Sequence, residues 1–423
     1  MNILVIGSGG REHTLCWKLS KSPLLKKLYC LPGNGGTSTL AENIQCSPLD
    51  LGKVLSFAKE NLIDLCIVGP EAPLAAGLSD VLRRGGIAVW GPSAKAAVLE
   101  SSKGFAKKIM TKAGIPTAQY SFFERKEEAE KGLKEMRFSY PLVVKADSLA
   151  AGKGVVICES EESALEALNF VFNTLKSKGV VIEEFLEGKE VSYIVALHKN
   201  CVVPLASSHD YKRLEDNDRG PNTGGMGSVS PTPRLSSKAE EKINQRIVYP
   251  LLSTLAAEGI DYSGFLYLGL MINKDDDPYV LEFNVRLGDP ETQAILPRFK
   301  GDLVEFLTAM LKNEGESFKD NRYWSEEKAV CVALASSGYP FSPKKGQVIS
   351  GLEDINSERE DVLIFHGGTV WDDKEKVYKV SGGRVLYAVG VGREIQLARE
   401  KAYKACDSIE FEGKIFRRDI GLE

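Results

Sequence analysis

The sequence has no long apolar run and little net charge. No stretch of its 423 residues approaches the ~18 consecutive apolar residues that span a bilayer. The chain starts with MNILVIG, an apolar run that is cut short by glycine and has no basic leader, so a signal peptide is disfavoured. The formal net charge is -4, whereas nucleic-acid-binding domains usually carry a basic patch. We therefore expect a soluble, cytoplasmic protein without a membrane or nucleic-acid partner.

Cysteine and histidine are present but not clustered. The eight cysteines are spread along the chain without a CxxC pair, and several lie in apolar contexts such as DLCIVG and AVCVALA. The four histidines are equally dispersed. A zinc site needs clustered ligands, so buried, reduced thiols are the expected state and metal binding through cysteine or histidine is disfavoured.

The remaining composition and pattern predict an α/β and α+β multidomain protein. The chain length is typical of roughly two to four domains. In residues 1–100, short apolar runs alternate with helix-like segments, which predicts a parallel sheet. One helix is predicted over residues 94–113, because Gly114 and Pro116 would end it. Residues 117–190 predict a small α+β unit. A final helix carries an apolar stripe that indicates core packing: Ile395, Ala398, Ala402, Ala405 and Ile409.

Polar side chains follow one another on a predicted strand near residue 280. GFLYLGLMIN and YVLEFNVR, joined by KDDDP, predict a β-hairpin. Side chains alternate along a strand, so Glu282, Asn284 and Arg286 should share one face. The opposite, apolar face should consist of Leu281, Phe283 and Val285. The first two polar residues are oxygen donors suited to Mg²⁺, and the arginine can hold an anion; the alternative is an ordinary polar sheet face.

The start of the chain, GSGGREH, lies where a dinucleotide-binding fingerprint would lie. Glu12 stands where that fingerprint requires a third glycine, so a dehydrogenase is disfavoured. Amides at a helix N-terminus still suit an anion, and Arg11 adds donors for phosphate or carboxylate. A tight strand-to-helix turn is the alternative, but it explains only the glycines. The loops at 33–36 and 69–74 are further candidates for a sugar phosphate.

Three later segments could contact a nucleotide or an anion. AAGKGV lacks the Ser or Thr that follows the lysine of a phosphate loop, so a P-loop is excluded but a closing lid is not. Lys145 precedes this loop and could contact phosphate or simply extend to solvent. In VVIEEFLEGKE, Glu183 and Glu190 could accept from ribose hydroxyls or form a solvated strand end. PNTGGMG could be an ordinary loop or a cradle of backbone donors for an anion.

In this order, the motifs resemble those of the ATP-grasp enzymes and, within them, the glycinamide ribonucleotide synthetase family. The resemblance covers nearly the full chain and is most specific in GSGGREH, PNTGGMG and EFNVRLGDPE. It implies an N-terminal parallel α/β substrate-binding domain at 1–102 and a two-lobed ATP-grasp core at 103–326. Within that core, 117–190 would be the small ATP-binding lobe with its lid. A small C-terminal α+β domain would occupy 327–423.

The resemblance also implies a reaction and its ligands. ATP, glycine and 5-phosphoribosylamine would give ADP, phosphate and glycinamide ribonucleotide through glycyl phosphate, a step of de novo purine synthesis. The metal would be Mg²⁺, with Mn²⁺ as an alternative, and the number of ions is open because GFLYLGLMIN has no acid. The oligomeric state is open between monomer and homodimer. Another ATP-grasp ligase or carboxylase, and a non-catalytic nucleotide-binding protein, are the competing interpretations.

The motifs give a set of predicted site residues. Arg286 and Lys145 are expected to act in catalysis, and Glu282 and Asn284 to bind the metal. The residues expected to bind ATP are Lys103, Lys145, Leu149, Ala150, Gly152, Lys153, Gly154, Glu183, Phe185, Leu186 and Glu190. The residues expected to bind the other substrates are Gly10, Arg11, Asp210, Lys212, Asn222, Thr223, Gly224, Gly225, Arg286, Gly288 and Asp289.

Overall fold

The N-terminal part of the chain forms a parallel sheet, as predicted. The computed structural model describes residues 1–135, 139–149, 154–353, 355 and 361–422. The first elements are β1 Asn2–Gly7, α1 Gly10–Ser20, β2 Lys27–Pro32, β3 Glu42–Asn43, α2 Leu51–Glu60, β4 Leu65–Val68, α3 Glu71–Ala75, α4 Leu78–Arg84 and β5 Ala88–Trp90. The strand order is β3-β2-β1-β4-β5. Alternate residues of β1 pack into two different cores, because the sheet is covered on both faces.

The single helix predicted over 94–113 is wrong, because the structure has two helices there. They are α5 Ala94–Ser101 and α6 Lys103–Ala113. Ser102 between them is extended (φ -133, ψ 111), and its side chain accepts a hydrogen bond from the Phe105 N–H, so it caps α6. Gly114 ends α6 in the left-handed conformation (φ 64), as predicted. The break makes Lys103 the first residue of α6.

Residues 120–184 form a small antiparallel lobe. Its elements are β6 Tyr120–Phe123, α7 Lys126–Glu135, β7 Leu142–Ala146, β8 Val155–Cys158, α8 Glu161–Asn169 and β9 Val180–Glu184, with a π-helical turn at Phe170–Thr174. The strand order is β6-β9-β7-β8, and the sheet and its two helices enclose their own apolar core. The predicted α+β unit is therefore confirmed.

The next segment builds a second lobe around a four-stranded antiparallel sheet. Its elements are β10 Lys189–His198, β11 Cys201–Pro204, β12 His209–Asp210, β13 Arg213–Glu215, β14 Arg219–Asn222, β15 Gly227–Ser230, α9 Ser237–Ile243, α10 Tyr249–Ala257, β16 Ser263–Ile272, β17 Pro278–Asn284, α11 Glu291–Ile295 and α12 Leu303–Leu311. The sheet order is β11-β10-β16-β17. A π-helical turn at Asn244–Val248 joins α9 to α10. The predicted hairpin of β16 and β17 is confirmed.

A β-bulge in this hairpin overturns one part of the predicted alternation. Gly269 lies opposite Glu282, but Leu270 lies opposite Val280, so Leu281 has no partner of its own. As a result Val280, and not Leu281, is buried in the core. The prediction that Leu281 shares the apolar face with Phe283 and Val285 is wrong, since a bulge changes which face a side chain points to.

The C-terminal part packs one sheet against the final helix. Its elements are β18 Lys328–Ala335, β19 Val348–Ile349, β20 Val362–His366, β21 Thr369–Asp372, β22 Val377–Val380, β23 Arg384–Gly392 and α13 Ile395–Ser408. The stripe on α13 packs into the core as predicted. The sheet order is β12-β15-β18-β23-β20, so β12 and β15 join it from before residue 327. In the part of the chain that the structure describes, no helix has the length and apolarity to cross a bilayer.

Candidate active site

A cavity of about 1140 Å³ lies where the two lobes and the N- and C-terminal parts meet. Strand β17, the small-lobe strands β7 to β9, and the PNTGG loop contribute to its wall. Most of the predicted site residues line it: Arg11, Lys103, Lys145, Leu149, Gly154, Glu183, Phe185, Leu186, Glu190, Asp210, Lys212, Asn222, Thr223, Gly224, Glu282, Asn284, Arg286, Gly288 and Asp289. Motifs far apart in sequence therefore converge on one concave site.

Two predicted substrate-binding glycines lie outside the cavity wall. A Cβ on Gly10 would be 2.2 Å from Cε2 of Tyr387, and a Cβ on Gly225 would be 2.5 Å from Cδ of Pro290. Both glycines therefore allow close packing behind the site. The predicted lid residues Ala150, Gly152 and Lys153 lie outside the described residues.

Strand β17 places an acid and an amide side by side at the cavity. Glu282 and Asn284 lie two residues apart, with Nδ2 of Asn284 3.5 Å from Oε1 of Glu282. Oδ1 of Asn284 accepts from Nη2 of Arg286 at 3.4 Å. Burial raises the pKa of Glu282, but the surrounding positive charges, first Lys212 and Lys103, hold it below its usual range. Glu282 is therefore ionised, and this donor set suits a hard cation held by few protein ligands. Among the described residues no cluster of three or more His, Cys, Asp or Glu side chains could hold a metal.

Arg286, just after β17, is held by two acids, of which the sequence analysis did not select Glu100. Its Nη2 lies 3.0 Å from Oε1 of Glu100, and its Nε lies 3.5 Å from Oε2 of Glu71. The other oxygen of Glu100 accepts from the Val285 N–H at 2.8 Å. Burial raises the pKa of Glu100, with the charge of Arg286 opposing it. Glu100 therefore fixes both the arginine and the strand end that carries it.

Two lysines share one buried carboxylate beside the small lobe. Oε1 of Glu183 forms an ion pair with Lys145, and Oε2 lies 2.6 Å from Nζ of Lys107. Lys145 also donates to the carbonyl of the bulge residue Leu281 at 3.1 Å. Lys103, at the start of α6, lies in the same wall, and burial lowers its pKa although Glu282 opposes the shift. The sequence analysis did not select Lys107, which lies four residues after Lys103.

A second charged group lines the same cavity. Lys212 forms an ion pair with Glu190, and its Nζ is 4.0 Å from Oδ1 of Asp210. Burial and nearby carboxylates, first Glu291, raise the pKa of Asp210 to about 7 against the opposing charge of Lys212. Glu291, which the sequence analysis did not select, accepts from Ser192 Oγ at 2.9 Å. Both charged groups of the cavity therefore combine buried lysines with carboxylates.

Residues of the C-terminal part hold the PNTGG loop in place through hydrogen bonds. The Gly224 N–H donates to the Tyr339 hydroxyl at 2.9 Å. Arg384 on β23 donates to the carbonyls of Gly224, Gly225 and Asp289. It also forms an ion pair with the Asp289 carboxylate at 3.3 Å. The sequence analysis did not select Arg384.

The helix N-terminus after β1 binds its own side chain. The Gly9 N–H donates to Oε2 of Glu12 at 2.6 Å, and Nε of Arg11 donates to Oε1 of the same residue at 2.6 Å. The Glu12 carboxylate therefore occupies the place where an anion was expected. Of the residues in GSGGREH, Arg11 is the one that lines the cavity. The loop at 33–36 lies elsewhere: the Gly35 N–H donates to the Thr369 carbonyl at 3.0 Å. In contrast, Pro70 and Glu71 of the loop at 69–74 line the cavity.

Comparison with known proteins assigns the chain to a family. Models described as phosphoribosylglycinamide synthetase N domain, ATP-grasp (A) domain and C domain match residues 1–100, 101–292 and 329–423. A phosphoribosylamine–glycine ligase from Caldanaerobacter subterraneus subsp. tengcongensis is 45% identical over 99% of both chains. One from Vibrio vulnificus is 43% identical over 100% of this chain and 98% of its own.

A solved structure agrees with these matches. The crystal structure of a phosphoribosylamine–glycine ligase from Thermotoga maritima superposes with a TM-score of 0.83 at 37% identity. The superposition covers 99% of this chain and 100% of the other. The chain belongs to the phosphoribosylglycinamide synthetase family, with an N domain, an ATP-grasp domain and a C domain in that order.

Proposed function

We propose that the chain ligates glycine to 5-phosphoribosylamine at the cost of ATP, giving glycinamide ribonucleotide, ADP and phosphate for purine biosynthesis. Full-length relatives carry the name of this ligase. The observation that carries the proposal within this chain is the meeting of Glu282 and Asn284 with buried lysines and Arg286 in one cavity. Phosphoryl transfer depends on positioning and charge neutralisation, and this set of side chains supplies both.

The chemistry would run in two steps. An oxygen of the glycine carboxylate attacks the γ-phosphorus of ATP, the bond to the bridging oxygen breaks, and ADP leaves. The amine of phosphoribosylamine then attacks the carbonyl carbon of glycyl phosphate, loses a proton, and expels phosphate. Neither step needs a protein nucleophile. Glycyl phosphate would hydrolyse in water, so a closed cavity protects it.

The ATP-binding residues in this proposal centre on Lys103 and Lys145. Lys103 and Lys145 would contact the phosphates as point charges, and Leu149 and Gly154 would approach them from the small lobe. Phe185 and Leu186 would offer an apolar surface to the adenine, and Glu190 would accept from the ribose. The predicted lid residues Ala150, Gly152 and Lys153 complete this group in the proposal.

The metal side of the proposal rests on β17. Glu282 and Asn284 would hold Mg²⁺, or Mn²⁺ in its place, because two adjacent hard oxygens leave room for phosphate oxygens and water. The cation would neutralise charge on the transferring phosphate. Arg286, held in place by Glu100, would orient the carboxylate of glycine or of its acyl phosphate.

The contacts with glycine and phosphoribosylamine would come from Asp210, Arg11 and the PNTGG loop. Asp210 would accept from an amine, and Lys212 would keep that carboxylate partly compensated. Arg11, whose Nε donates to Glu12, would contact the sugar phosphate through its remaining N–H groups. The residues proposed to enclose the sugar and the glycine are Asn222, Thr223, Gly224, Gly288 and Asp289, with Gly10 and Gly225 packed behind them.

The experiment that tests the function measures product from freshly generated phosphoribosylamine. With glycine, ATP and Mg²⁺, we expect glycinamide ribonucleotide and ADP in equal amounts, and no ADP above background when glycine or the amine is omitted. Replacing glycine by other amino acids, and phosphoribosylamine by other amines, separates this ligase from related ones. ADP release with a different pair, or no glycinamide ribonucleotide from an ATP-binding preparation, would overturn the proposal.

A further inference from the structure

Lys107 is a buried ammonium that the two reaction steps do not use. It is 2% exposed, on the inner side of α6. Its Nζ lies 2.6 Å from Oε2 of Glu183 and 2.7 Å from Oγ1 of Thr117. Burial lowers the pKa of Lys107, and the charge of Glu183 opposes that shift. A buried charge is costly unless it is paired, so the pair with Glu183 is what allows Lys107 to stay in the fold.

Glu183 has both oxygens engaged. The residue is 2% exposed, with Lys145 on one oxygen and Lys107 on the other. Its carboxylate is therefore a counter-ion shared by two lysines, and its burial leaves little surface for a ribose hydroxyl. Two ammonium groups and one carboxylate leave the group of three with a surplus of one positive charge.

That surplus depends on Lys107. Without it, Glu183 and Lys145 would form a neutral pair, and the carboxylate would be free to hold the ammonium of Lys145 with both oxygens. Lys145 would then offer less charge to an incoming phosphate. The Leu281 carbonyl, the other acceptor of Lys145, is neutral and does not change this balance.

We propose that Lys107 is a positioning residue for ATP, which keeps Glu183 occupied so that Lys145 presents its charge to the nucleotide phosphates. The inference rests on the proposed function in one respect, since it takes Lys145 as a phosphate contact. It assigns Glu183 to charge balance and removes it from the adenosine-binding set.

A double-mutant cycle tests the charge balance. Lys107→Met keeps the length and apolar part of the side chain, and Glu183→Gln removes the competing charge. We expect Lys107→Met to weaken equilibrium ATP binding about tenfold or more, measured without glycine or phosphoribosylamine. We expect Lys107→Met/Glu183→Gln to recover most of the loss, because Lys145 then keeps its charge without a competing carboxylate in this group of three. Lys107→Arg, which keeps the charge, should bind ATP far better than Lys107→Met.

The outcome that overturns the inference is additivity. If Lys107 only supports packing, the double variant will bind ATP no better than Lys107→Met, because it has lost two buried partners. Thermal unfolding of each variant identifies losses that come from misfolding. Lys112→Met on the same helix is the matched control: Lys112 pairs with Glu258 at the surface and should leave ATP affinity unchanged.

This experiment fails separately from the proposed function. If the wild type binds ATP but makes no glycinamide ribonucleotide, and the double variant recovers ATP affinity, the ligase activity is overturned and the role of Lys107 stands. If the wild type makes glycinamide ribonucleotide but the cycle is strictly additive, the role of Lys107 is overturned and the ligase activity stands. A wild-type protein that binds no ATP overturns both.

Discussion

Replacing Arg384 by methionine should separate substrate use from ATP binding. Arg384 belongs to β23, yet it donates to the Gly225 carbonyl at 3.1 Å and the Asp289 carbonyl at 2.7 Å. It also donates to Gly224 and lies 3.3 Å from the Asp289 carboxylate. The variant would leave three carbonyls and one carboxylate without a charged donor. The ATP phosphates are assigned to Lys103 and Lys145, whose contacts are with Ser148, Leu281 and Glu183, so the affinity for ATP should change little.

The size of the effect follows from these contacts. The variant loses three hydrogen bonds from Arg384 to carbonyls. At about 1 kcal/mol net for each bond, the interactions that hold residues 222–225 and Asp289 in place weaken by about 3 kcal/mol. If most of that loss appears in the transition state, kcat/KM for glycine and phosphoribosylamine should fall about 100-fold. The Kd of ATP should stay within about twofold of the wild type.

The assay is ADP release at saturating ATP with glycine and phosphoribosylamine varied in turn, beside direct ATP binding. Arg418→Met is the control, because Arg418 forms an exposed ion pair with Asp407 at 2.9 Å, and such pairs contribute little. A folded Arg384→Met protein with unchanged KM and kcat for both substrates would refute the reasoning. So would a variant whose main defect is in ATP binding.

Three further predictions concern the metal, a titrating acid and a close contact. Glu282→Ala should reduce turnover severely without unfolding the protein; near-normal turnover at saturating Mg²⁺ would contradict the metal assignment. Asp210 has a folded pKa of about 7 against an ordinary value of 3.8, so its burial destabilises the fold increasingly as pH rises from 4 to 7. At pH 8 the free energy of unfolding of Asp210→Asn, measured in urea, should therefore exceed that of the wild type by up to about 4 kcal/mol. The difference should shrink at pH 5, and an equal difference at both pH values would refute this. Gly10→Ala would place a Cβ 2.2 Å from Tyr387, so it should lower the free energy of unfolding by about 1–3 kcal/mol, and an unchanged Tm would contradict it.

Local patterns predicted the elements that depend on local physics. The parallel sheet, the β16–β17 hairpin and the stripe of α13 all follow from the spacing of apolar residues, and the structure confirms them. The Ser102 break did not follow, because its cue is a single capping hydroxyl within an otherwise helical stretch. The bulge at Leu281 did not follow either, because a register shift is a property of two strands together.

The same division applies to the site. Residues within a motif, such as Glu282 and Asn284, could be selected because the motif itself carries oxygen donors at the right spacing. Lys107, Glu100 and Arg384 act through partners at distant positions in the chain, and no local pattern marks those pairings. The packing role of Gly10 was missed for the same reason, since its contact is with Tyr387.

The sheet that joins β12 and β15 to the C-terminal strands has a consequence for biosynthesis. On the ribosome, β15 is made long before β18, its hydrogen-bonded neighbour at residues 328–335. Until β18 emerges, β15 has an exposed edge, which is a template for pairing with other chains. A chain cut at residue 326 would keep that edge permanently, so it should aggregate rather than yield an isolated nucleotide-binding fragment.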